Sequence, residues 1–479
     1  MWFYVLIWSL LIFYGVVLLG TILVVILDNR QPVKTVAWIL VLVSLPFLGL
    51  ILFYFFGQNI RKERLISRKN VQLLTRKSLT GYFTQPPYRV APEYVRLVHF
   101  FEKQNLSLPF GNNELAFYNE GADFLHSLLH EIAQARHHVH LETYIFEDDE
   151  VGCLVRDALV AKAVEGVEVR LMYDDVGCWA VKQRFFDDMA RKGVRVQGFM
   201  PVRFPRFTHK VNYRNHRKVC IIDGKVGFVG GMNLADRYMG KALGDQAKLW
   251  RDMHLCIRGG AVYGLQRSFL TDWFFMTQIL ITDARYYPPV ETIFHDSEAV
   301  VQIVTSDPVA NWPEIMYGFT WIIQNAKRYV YIQSPYFMPT EQVLTALQTA
   351  AMSGVDVRLM VPERPDSRWL RWANESYFAE VLEAGVKVYC FQPGFLHSKC
   401  LVVDDMLTTV GSTNMDFRSF ENNFEMNAFI YDEAAALKVR KLFETDLKCC
   451  TQLDLDKWHQ RSYMRRLRES FVRIFSPLL

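Results

Sequence analysis

One short motif occurs twice in this chain with the same internal spacing. Each copy has a histidine, a lysine two positions later, an aspartate five positions after the lysine, and then two small residues ahead of an asparagine. Every member of the second copy lies 181 positions after its counterpart (397 minus 216), which is not expected by chance. The copies comprise His216, Lys218, Asp223, Gly230, Gly231 and Asn233, and His397, Lys399, Asp404, Gly411, Ser412 and Asn414.

The segments around the motif repeat as well. The sequence GVEVRLM at 166–172 returns as GVDVRLM at 354–360, and GVRV at 193–196 returns as GVKV at 385–388. The offsets differ by a few residues, as they do when loops differ in length. Two homologous halves are the simplest explanation.

Both halves alternate short β-branched runs with amphipathic stretches. This alternation predicts α/β layers with a central sheet in each half. Strands are predicted over 138–145, 167–173, 329–333 and 355–361, and helices over 122–135, 185–192, 321–326, 340–353 and 371–384.

The amino terminus contains two uncharged apolar runs, 2–27 and 35–56. Roughly 20 apolar residues cross a bilayer core, so each run is long enough to span it. A cleaved signal peptide is the alternative, but the first run is too long for one and lacks a basic leader. The sequence therefore predicts a two-span hairpin whose ends lie on the same side of the membrane.

The orientation of this hairpin follows from its flanking charges. Seven basic residues follow the second run, against Arg30 and Lys34 in the turn, so the rest of the chain is predicted to face the cytoplasm. The modest net charge of +4 does not indicate nucleic-acid binding. The seven residues are Arg61, Lys62, Arg64, Arg68, Lys69, Arg76 and Lys77.

The predicted domains follow these boundaries: a transmembrane hairpin over 1–60, a linker and juxtamembrane region over 61–115, a first half over 116–290, a second half over 291–450, and a basic amphipathic segment over 451–479. The last segment is predicted as either an interfacial helix or an ordinary docking helix. Basic and aromatic residues also alternate over 201–217, and they predict either a lip that draws anionic headgroups to the first motif or an ordinary solvated loop.

The repeated motif suits transfer at a phosphodiester. A histidine and a lysine two positions apart on a strand project from one face. One imidazole can attack phosphorus to form a phosphohistidine, and the other can protonate the leaving oxygen and later deprotonate the acceptor. Two lysines and the amides of Asn233 and Asn414 can stabilise the charge on the phosphoryl oxygens. Since each half supplies one of each group, we expect the active site between the halves.

Other features have simpler interpretations. His137, His138 and His140 resemble a metal cluster, but they open a predicted strand without further ligands in spacing, so strand packing is predicted and no metal. A nucleotide-type glycine loop does not occur, and we predict no cofactor. Four aromatic residues, Tyr144, Phe146, Tyr336 and Phe337, are predicted either as walls of the site or as core.

The paired motifs resemble the phospholipase D superfamily, and with the amino-terminal hairpin the chain resembles the bacterial cardiolipin synthases within it. This resemblance implies two phospholipase D-like α/β/α sandwich halves and a metal-free mechanism. It implies His216 as the nucleophile and His397 as the acid and base, with the opposite assignment open. It also implies that Asp223 and Asp404 hold the strand and its turn.

Two further acidic residues are implied to orient the imidazoles, Asp252 and Glu425. They are 173 positions apart rather than 181, and Asp252 departs from the glutamate expected there. The implied activity is transfer of a phosphatidyl group between two phosphatidylglycerol molecules to form cardiolipin. A phospholipase D-type hydrolase and a nuclease of the superfamily are the alternatives. The expected partners are phosphatidylglycerol, other anionic phospholipids and the membrane but no nucleic acid, and a homo-oligomer stays open.

Overall fold

A computed structural model of the protein describes residues 1–28, 32–45, 47–57, 88–202, 212–240, 250–289 and 297–477. The chain divides into two compact units, Met1–Arg64 with Val202–Tyr213, and Leu65–Pro201 with Arg214–Leu479. Both halves of the repeat belong to the second unit. Arg30, the seven basic residues after the second apolar run, and residues 203–211 of the predicted lip lie outside the described residues.

The amino-terminal unit begins with α1 (Trp2–Leu27), in which a stretch of 18 residues has a mean hydropathy of 3.0. Among the described residues it is the one helix long and apolar enough to cross a membrane, which is compatible with membrane association. The second apolar run forms two shorter helices, α2 (Pro32–Ser44) and α3 (Leu48–Leu52). A turn with Phe47 at a φ of 62° separates them, so the predicted second span is not one continuous helix.

The first half of the repeat is built on a seven-stranded sheet. Its strands and a short additional one are β1 (Glu114–Tyr118), β2 (His138–Thr143), β3 (Glu168–Asp174), β4 (Arg195–Phe199), β5 (Val219–Ile222), β6 (Val226–Gly230), β7 (Trp250–Arg251) and β8 (His254–Arg258). The sheet order is β1-β8-β6-β5-β2-β3-β4. Strands β2, β3 and β4 are parallel, and the remaining neighbours are antiparallel.

The second half is built on an eight-stranded sheet. Its strands and three short additional ones are β9 (Val300–Ser306), β10 (Tyr329–Gln333), β11 (Phe337–Met338), β12 (Asp356–Pro362), β13 (Lys387–Phe391), β14 (Phe395–Leu396), β15 (Cys400–Val403), β16 (Leu407–Gly411), β17 (Met415–Asp416), β18 (Glu425–Tyr431) and β19 (Cys450–Gln452). The sheet order is β19-β13-β12-β10-β15-β16-β18-β9. Apart from the extra edge strand β19, the order and strand directions match those of the first sheet. The predicted α/β class with two equivalent halves is confirmed.

Helices cover the sheets on both sides. They are α4 (Val95–Asn105), α5 (Gly121–Gln134), α6 (Glu150–Val164), α7 (Gln183–Arg191), α8 (Val262–Thr277), α9 (Glu314–Asn325), α10 (Glu341–Met352), α11 (Arg368–Glu383), α12 (Phe417–Glu421), α13 (Glu433–Leu447), α14 (Leu455–His459) and α15 (Tyr463–Arg473). Several begin at an acidic cap: Asp149 accepts a hydrogen bond from Gly152 N at the start of α6, and Asp432 accepts one from Ala435 N at the start of α13.

Helices that flank the sheets bury apolar side chains against them. In α7, for example, Phe185, Phe186 and Met189 are buried, and Phe186 stacks on Tyr173 of β3 with 3.7 Å between ring centroids. Part of the segment predicted as a linker also belongs to the fold, because α4 packs Leu97 and Phe101 into the core of the second half. The predicted strands and helices lie at their expected places, although the helix predicted over 321–326 begins earlier, at Glu314.

Candidate active site

The two motif histidines lie just ahead of equivalent central strands. The strand predicted to carry His216 and Lys218 begins only at Val219, so both residues occupy the extended segment leading into β5. This segment is held by the other half of the chain, since His216 N donates a hydrogen bond to Phe424 O at 2.9 Å. The second copy repeats the arrangement, since His397 N donates to Arg251 O at 2.7 Å.

Each histidine also contacts a carboxylate from the other half. Nδ1 of His216 lies 3.0 and 3.1 Å from the two carboxylate oxygens of Glu425, and Nδ1 of His397 lies 2.6 Å from Oδ2 of Asp252. An ionised carboxylate can only accept hydrogen bonds, so Nδ1 of each ring carries a proton. The Nε2 atoms are therefore left with lone pairs that are available for chemistry.

The two carboxylates are fully buried, and each accepts further hydrogen bonds from its own neighbours. Ser412 Oγ donates to Glu425, as does Asn423 Nδ2 at 3.2 Å. Asp252 accepts a hydrogen bond from Met253 N at 2.7 Å. Burial alone would raise the pKa of both carboxyls, but the positive groups around them outweigh it and lower both pKa values. Both groups are therefore negative at neutral pH.

The motif lysines are buried beside the histidines. Lys218 Nζ donates to His216 O at 2.6 Å, and Lys399 Nζ donates to His397 O. Burial lowers the pKa of Lys218 to about 7 and that of Lys399 to about 8, while Glu425 and Asp252 work against this shift. A bound phosphate would favour the charged form of both lysines.

The histidine pKa values are lowered too. Burial is the main cause of the lowered pKa of His216, and the negative charge of Glu425 partly offsets it. For His397, burial and the positive charge of Lys399 together lower the pKa to about 3. Both lysine charges act on both rings. The four basic groups therefore form one electrostatic cluster between the halves.

The motif aspartates face away from this cluster and clamp the sheet. Asp223 accepts hydrogen bonds from the backbone N–H groups of Arg136, His137 and His138 at 2.8 to 2.9 Å. Asp404 accepts them from Lys327, Arg328 and Tyr329 at 2.7 to 2.9 Å. Both aspartates have a φ of 53°, and each ties the turn after a motif strand to the start of the neighbouring strand.

The two asparagines differ in their contacts. Asn233 Oδ1 accepts from Ile145 N at 3.1 Å, and its amide nitrogen donates to Tyr238 Oη. Asn414 is buried, and its Oδ1 has no hydrogen-bond partner among the described residues. A role for either amide at the substrate stays a prediction.

Aromatic rings line both histidines. The Tyr144 ring lies 5.1 Å from the His216 ring, and Trp250, Phe395 and Tyr238 lie 5.0, 5.6 and 5.8 Å from the ring of His397. The last three were not predicted, because they come from both halves and belong to no repeated pattern. A signal was present at Trp250, which lies two positions before Asp252.

The four aromatic residues predicted as walls or core divide between the two roles. Tyr144 borders His216, and Tyr336 is partly buried with its hydroxyl donating to Asp366 at 2.8 Å. Phe146 and Phe337 are fully buried in the cores of the two halves. Only the tyrosines therefore remain candidates for the wall of the site.

Several other predicted features have structural partners. Gln266 bridges His138 and His140, with 2.9 Å to each ring, as expected for strand packing. Two basic residues of the predicted lip are buried in ion pairs rather than offered to lipid: Arg214 with Asp174 at 3.3 Å, and Arg217 with Asp272. These pairs flank His216 in sequence and hold its segment in place.

Comparison with known proteins agrees with this arrangement. Residues 128–251 and 320–447 match the family model described as cardiolipin synthase, PLD-like domain, and residues 16–58 match that described as phospholipase D-nuclease N-terminal. A cardiolipin synthase of Geobacillus sp. (strain WCH70) is 39% identical, with 98% of this chain and 93% of that protein covered. One of Halalkalibacterium halodurans is 40% identical with the same coverage.

The fold also resembles a solved structure. Phosphatidylserine synthase of Haemophilus influenzae superposes with a TM-score of 0.60 and 14% identity, covering 85% of this chain and all of that one. At this identity the likeness concerns the fold alone.

Proposed function

This chain is a member of the PLD-like cardiolipin synthase family, and we propose that it transfers a phosphatidyl group from one phosphatidylglycerol to a hydroxyl of a second, forming cardiolipin and releasing glycerol. The observation that carries the proposal is the crossed pair of contacts, His216 with Glu425 and His397 with Asp252. They leave two Nε2 atoms in one lysine-rich cluster between the halves. The similarity to cardiolipin synthases supports phospholipids as the substrates.

The first step forms a covalent intermediate. Nε2 of His216 attacks the phosphorus, and the bond from phosphorus to the headgroup glycerol oxygen breaks. His397 takes up a proton from solvent on Nε2 when the anionic substrate binds, and it gives this proton to that oxygen, so glycerol leaves as a neutral alcohol. Lys218 and Lys399 stabilise the negative charge on the non-bridging oxygens.

The second step reverses these roles. A hydroxyl of the second phosphatidylglycerol gives its proton to Nε2 of His397, and its oxygen attacks the phosphorus. The phosphorus–nitrogen bond breaks and His216 is restored. One ester bond forms for each one broken, so the exchange needs no nucleotide. Because both histidines are at least nine-tenths buried, bulk water has little access to the intermediate.

A specific observation favours the opposite assignment of the histidines. His397, with a pKa lowered to about 3, is neutral at pH 7, as a nucleophile must be. Binding of an anionic phosphodiester adds a negative charge beside this ring and raises its pKa, which is what the acid role requires. We keep His216 as the nucleophile because the family resemblance implies it, and the experiment below tests this assignment against the opposite one.

The experiment compares His216→Ala and His397→Ala after incubation with phosphatidylglycerol. Both variants should lose turnover, and intact-protein mass spectrometry should find a phosphatidyl adduct only in His397→Ala, on His216. An adduct found only in His216→Ala would reverse the roles. Turnover by either variant close to that of the unsubstituted protein would reject a two-histidine mechanism.

Product analysis separates transfer from its alternatives. The purified protein should convert phosphatidylglycerol to cardiolipin and glycerol without added nucleotide. Phosphatidic acid as the only lipid product would indicate a hydrolase, and cleavage of an oligonucleotide would indicate a nuclease. Light scattering of the detergent-solubilised protein determines whether it is a homo-oligomer.

The proposal extends to the membrane topology. We propose that α2 and α3 together form a second span after α1, which leaves both ends of the hairpin and the catalytic unit on the cytoplasmic side of the bacterial inner membrane. Support comes from the 22 uncharged apolar residues of 35–56 and from Tyr14 of α1, whose ring lies 4.5 Å from that of Phe47. Reporter fusions after residues 28 and 60 test this, since only the first should report the periplasm.

A further inference from the structure

The carboxyl-terminal helix α15 turns its apolar side chains outward. Four of them lie on one arc of the helix, and Ile474 and Phe475 in the turn after Arg473 continue that arc, with exposed fractions from 39% at Phe475 to 74% at Tyr463. An amphipathic helix in water normally buries such an arc, so this orientation needs an apolar surface to cover it. The six are Tyr463, Met464, Leu467, Phe471, Ile474 and Phe475.

The opposite side of α15 is fixed to α11 by charged contacts. Arg465 pairs with Glu375 at 2.9 Å, and Arg473 pairs with Glu380. The Arg468 guanidinium lies 4.5 Å from the centre of the Trp372 ring. These contacts determine which face points outward, so the exposure of the apolar arc is built into the fold rather than left to a free tail.

The charges that remain on the outside of α15 are positive. Its one acidic residue, Glu469, is buried, whereas Arg466 and Arg468 are exposed beside the apolar arc. Trp369 of α11, 53% exposed, packs against Trp372 and extends the aromatic part of this surface. Aromatic side chains with flanking arginines are typical of segments that lie at the surface of an anionic bilayer.

The same helix α11 also supports the active site. Asn374 Oδ1 accepts from Phe337 N at 2.9 Å, and Asn374 Nδ2 donates to Pro335 O at 3.2 Å. These bonds fix the loop that carries Tyr336. The outward arc and the candidate site are therefore attached to one rigid helix.

We propose that the apolar arc of α15 lies in the headgroup region of an anionic phospholipid bilayer and holds the catalytic unit against the membrane. The arc itself does not depend on the catalytic assignment, whereas the choice of a bilayer as its occupant rests on the proposed function. The positive charges beside the arc complement anionic headgroups, each contributing to attraction near the surface. A second copy of the chain or another segment of this one are the competing occupants.

Spin-label accessibility in the full-length protein tests the placement directly. Leu467→Cys carries the label on the arc, and Arg466→Cys serves as the matched control on the same helix, both with Cys153, Cys449 and Cys450 changed to Ser. In vesicles of phosphatidylcholine and phosphatidylserine, the Leu467 label should collide with oxygen and be shielded from a water-soluble nickel complex. The Arg466 label should show the reverse.

Three results would overturn the proposal. Equal access of the nickel complex to both labels would leave the arc in water. Spin–spin coupling between Leu467 labels would assign the arc to a second copy. A Leu467 label shielded from oxygen and nickel alike, in detergent as in vesicles, would place another segment of the protein on it.

Activity measurements separate this proposal from the catalytic one. Leu467→Glu should lower turnover of vesicle phosphatidylglycerol by about tenfold, because a charge in the arc opposes insertion, while Ser470→Glu should stay within about twofold. On short-chain phosphatidylglycerol dispersed as monomers the two variants should be equal, and a deficit of Leu467→Glu there would reject an interfacial role. If the unsubstituted protein makes no cardiolipin from either substrate, the catalytic proposal fails while the label result stands.

Discussion

Asp252 Oδ2 lies 2.6 Å from Nδ1 of His397, although the two residues belong to different halves of the repeat. The carboxylate fixes the tautomer that leaves Nε2 free, and it stabilises the ring when it becomes charged.

Asp252→Asn should therefore lower kcat by about 10²- to 10⁴-fold with little loss of fold, because an amide can hold the wrong tautomer. The measurement is cardiolipin formation, with thermal unfolding as the check on folding. Asp356→Asn, which alters a surface ion pair with Lys387, is the control and should be near normal. An Asp252→Asn enzyme within threefold of the unsubstituted rate would remove Asp252 from the mechanism.

The neighbouring residues explain why the first half has an aspartate where the second half has a glutamate. A Cβ on Gly231 would come within 2.1 Å of Asp252 Oδ1, whereas the equivalent Ser412 donates its hydroxyl to the longer Glu425. Gly231→Ser alone should displace Asp252 and lower kcat by about 10²-fold, by loss of the oriented imidazole.

Adding Asp252→Glu to Gly231→Ser copies the second half and should recover at least about tenfold of that loss. The double-mutant cycle is measured by steady-state kinetics. Additive losses from the two substitutions would show that their side chains do not compensate for one another.

The lysine pKa values predict an alkaline limit to activity. With pKa values lowered to about 7 and about 8, Lys218 and Lys399 lose their protons as pH rises through this range, and with them the charge that holds the phosphodiester. The value of kcat/KM, which reports the free enzyme, should fall above about pH 7 to 8. Lys399→Arg keeps its charge at these pH values, so part of the fall in kcat/KM should move to higher pH. If the pH dependence of kcat/KM is unchanged in this variant, another group causes the fall.

Buried histidines should make the fold sensitive to acid. His254 is stacked on Phe124 at 4.1 Å, and burial lowers its pKa to about 3, so the folded state binds its proton less readily than the unfolded state does. Its contribution to stability is complete above the unfolded pKa of about 6.5 and is lost as pH falls toward 3. Between pH 7 and pH 5 this amounts to about 2 kcal/mol.

Replacement of this ring provides the test. His254→Phe should reduce the difference in unfolding free energy between pH 7 and pH 5 by about 2 kcal/mol, measured by urea denaturation. His138, whose pKa burial lowers to about 4, should supply much of the acid sensitivity that remains. An unchanged pH dependence would show that His254 is not neutral in the fold.

The motif aspartates should act on stability. Asp404→Ala removes three accepted backbone hydrogen bonds and leaves alanine at a φ of 53°, which should cost about 2 to 4 kcal/mol. Asp404→Asn tolerates the φ and keeps one acceptor oxygen, so it should cost less. Both are measured by thermal unfolding, and kcat per folded molecule should change little. A large fall in kcat with unchanged stability would instead indicate a direct part in the chemistry.

The sequence was sufficient for the repeated core because the motif is local: its spacing reflects one strand, one turn and the next strand. Asp252 and Glu425 were harder to align because 19 positions separate Asn233 from Asp252, but only 11 separate Asn414 from Glu425. The strand register makes them equivalent, since His254 pairs with Gly230 and Asn427 with Gly411. Eight additional residues between Asn233 and Asp252 therefore explain the irregular offset.

Other features depend on packing that no local pattern encodes. The crossing of each histidine to the opposite half follows from how the two sheets face one another. The rings of Trp250 and Phe395 meet at His397 from different halves for the same reason. By contrast, the end of the helix at Ser44 had a local signal in Pro46, which the apolar composition of 35–56 alone does not take into account.

Each motif histidine contacts a carboxylate of the other half, and this has a consequence for dividing the chain into fragments. A chain cut in the connection between Thr277 and Val300 yields two fragments, each with an imidazole but without the acid that orients it. Catalysis should then reappear only on reconstitution of the fragments. By the same logic, one copy of the repeat alone would hold a histidine and a carboxylate that do not meet, so it would need a second copy to complete either pair.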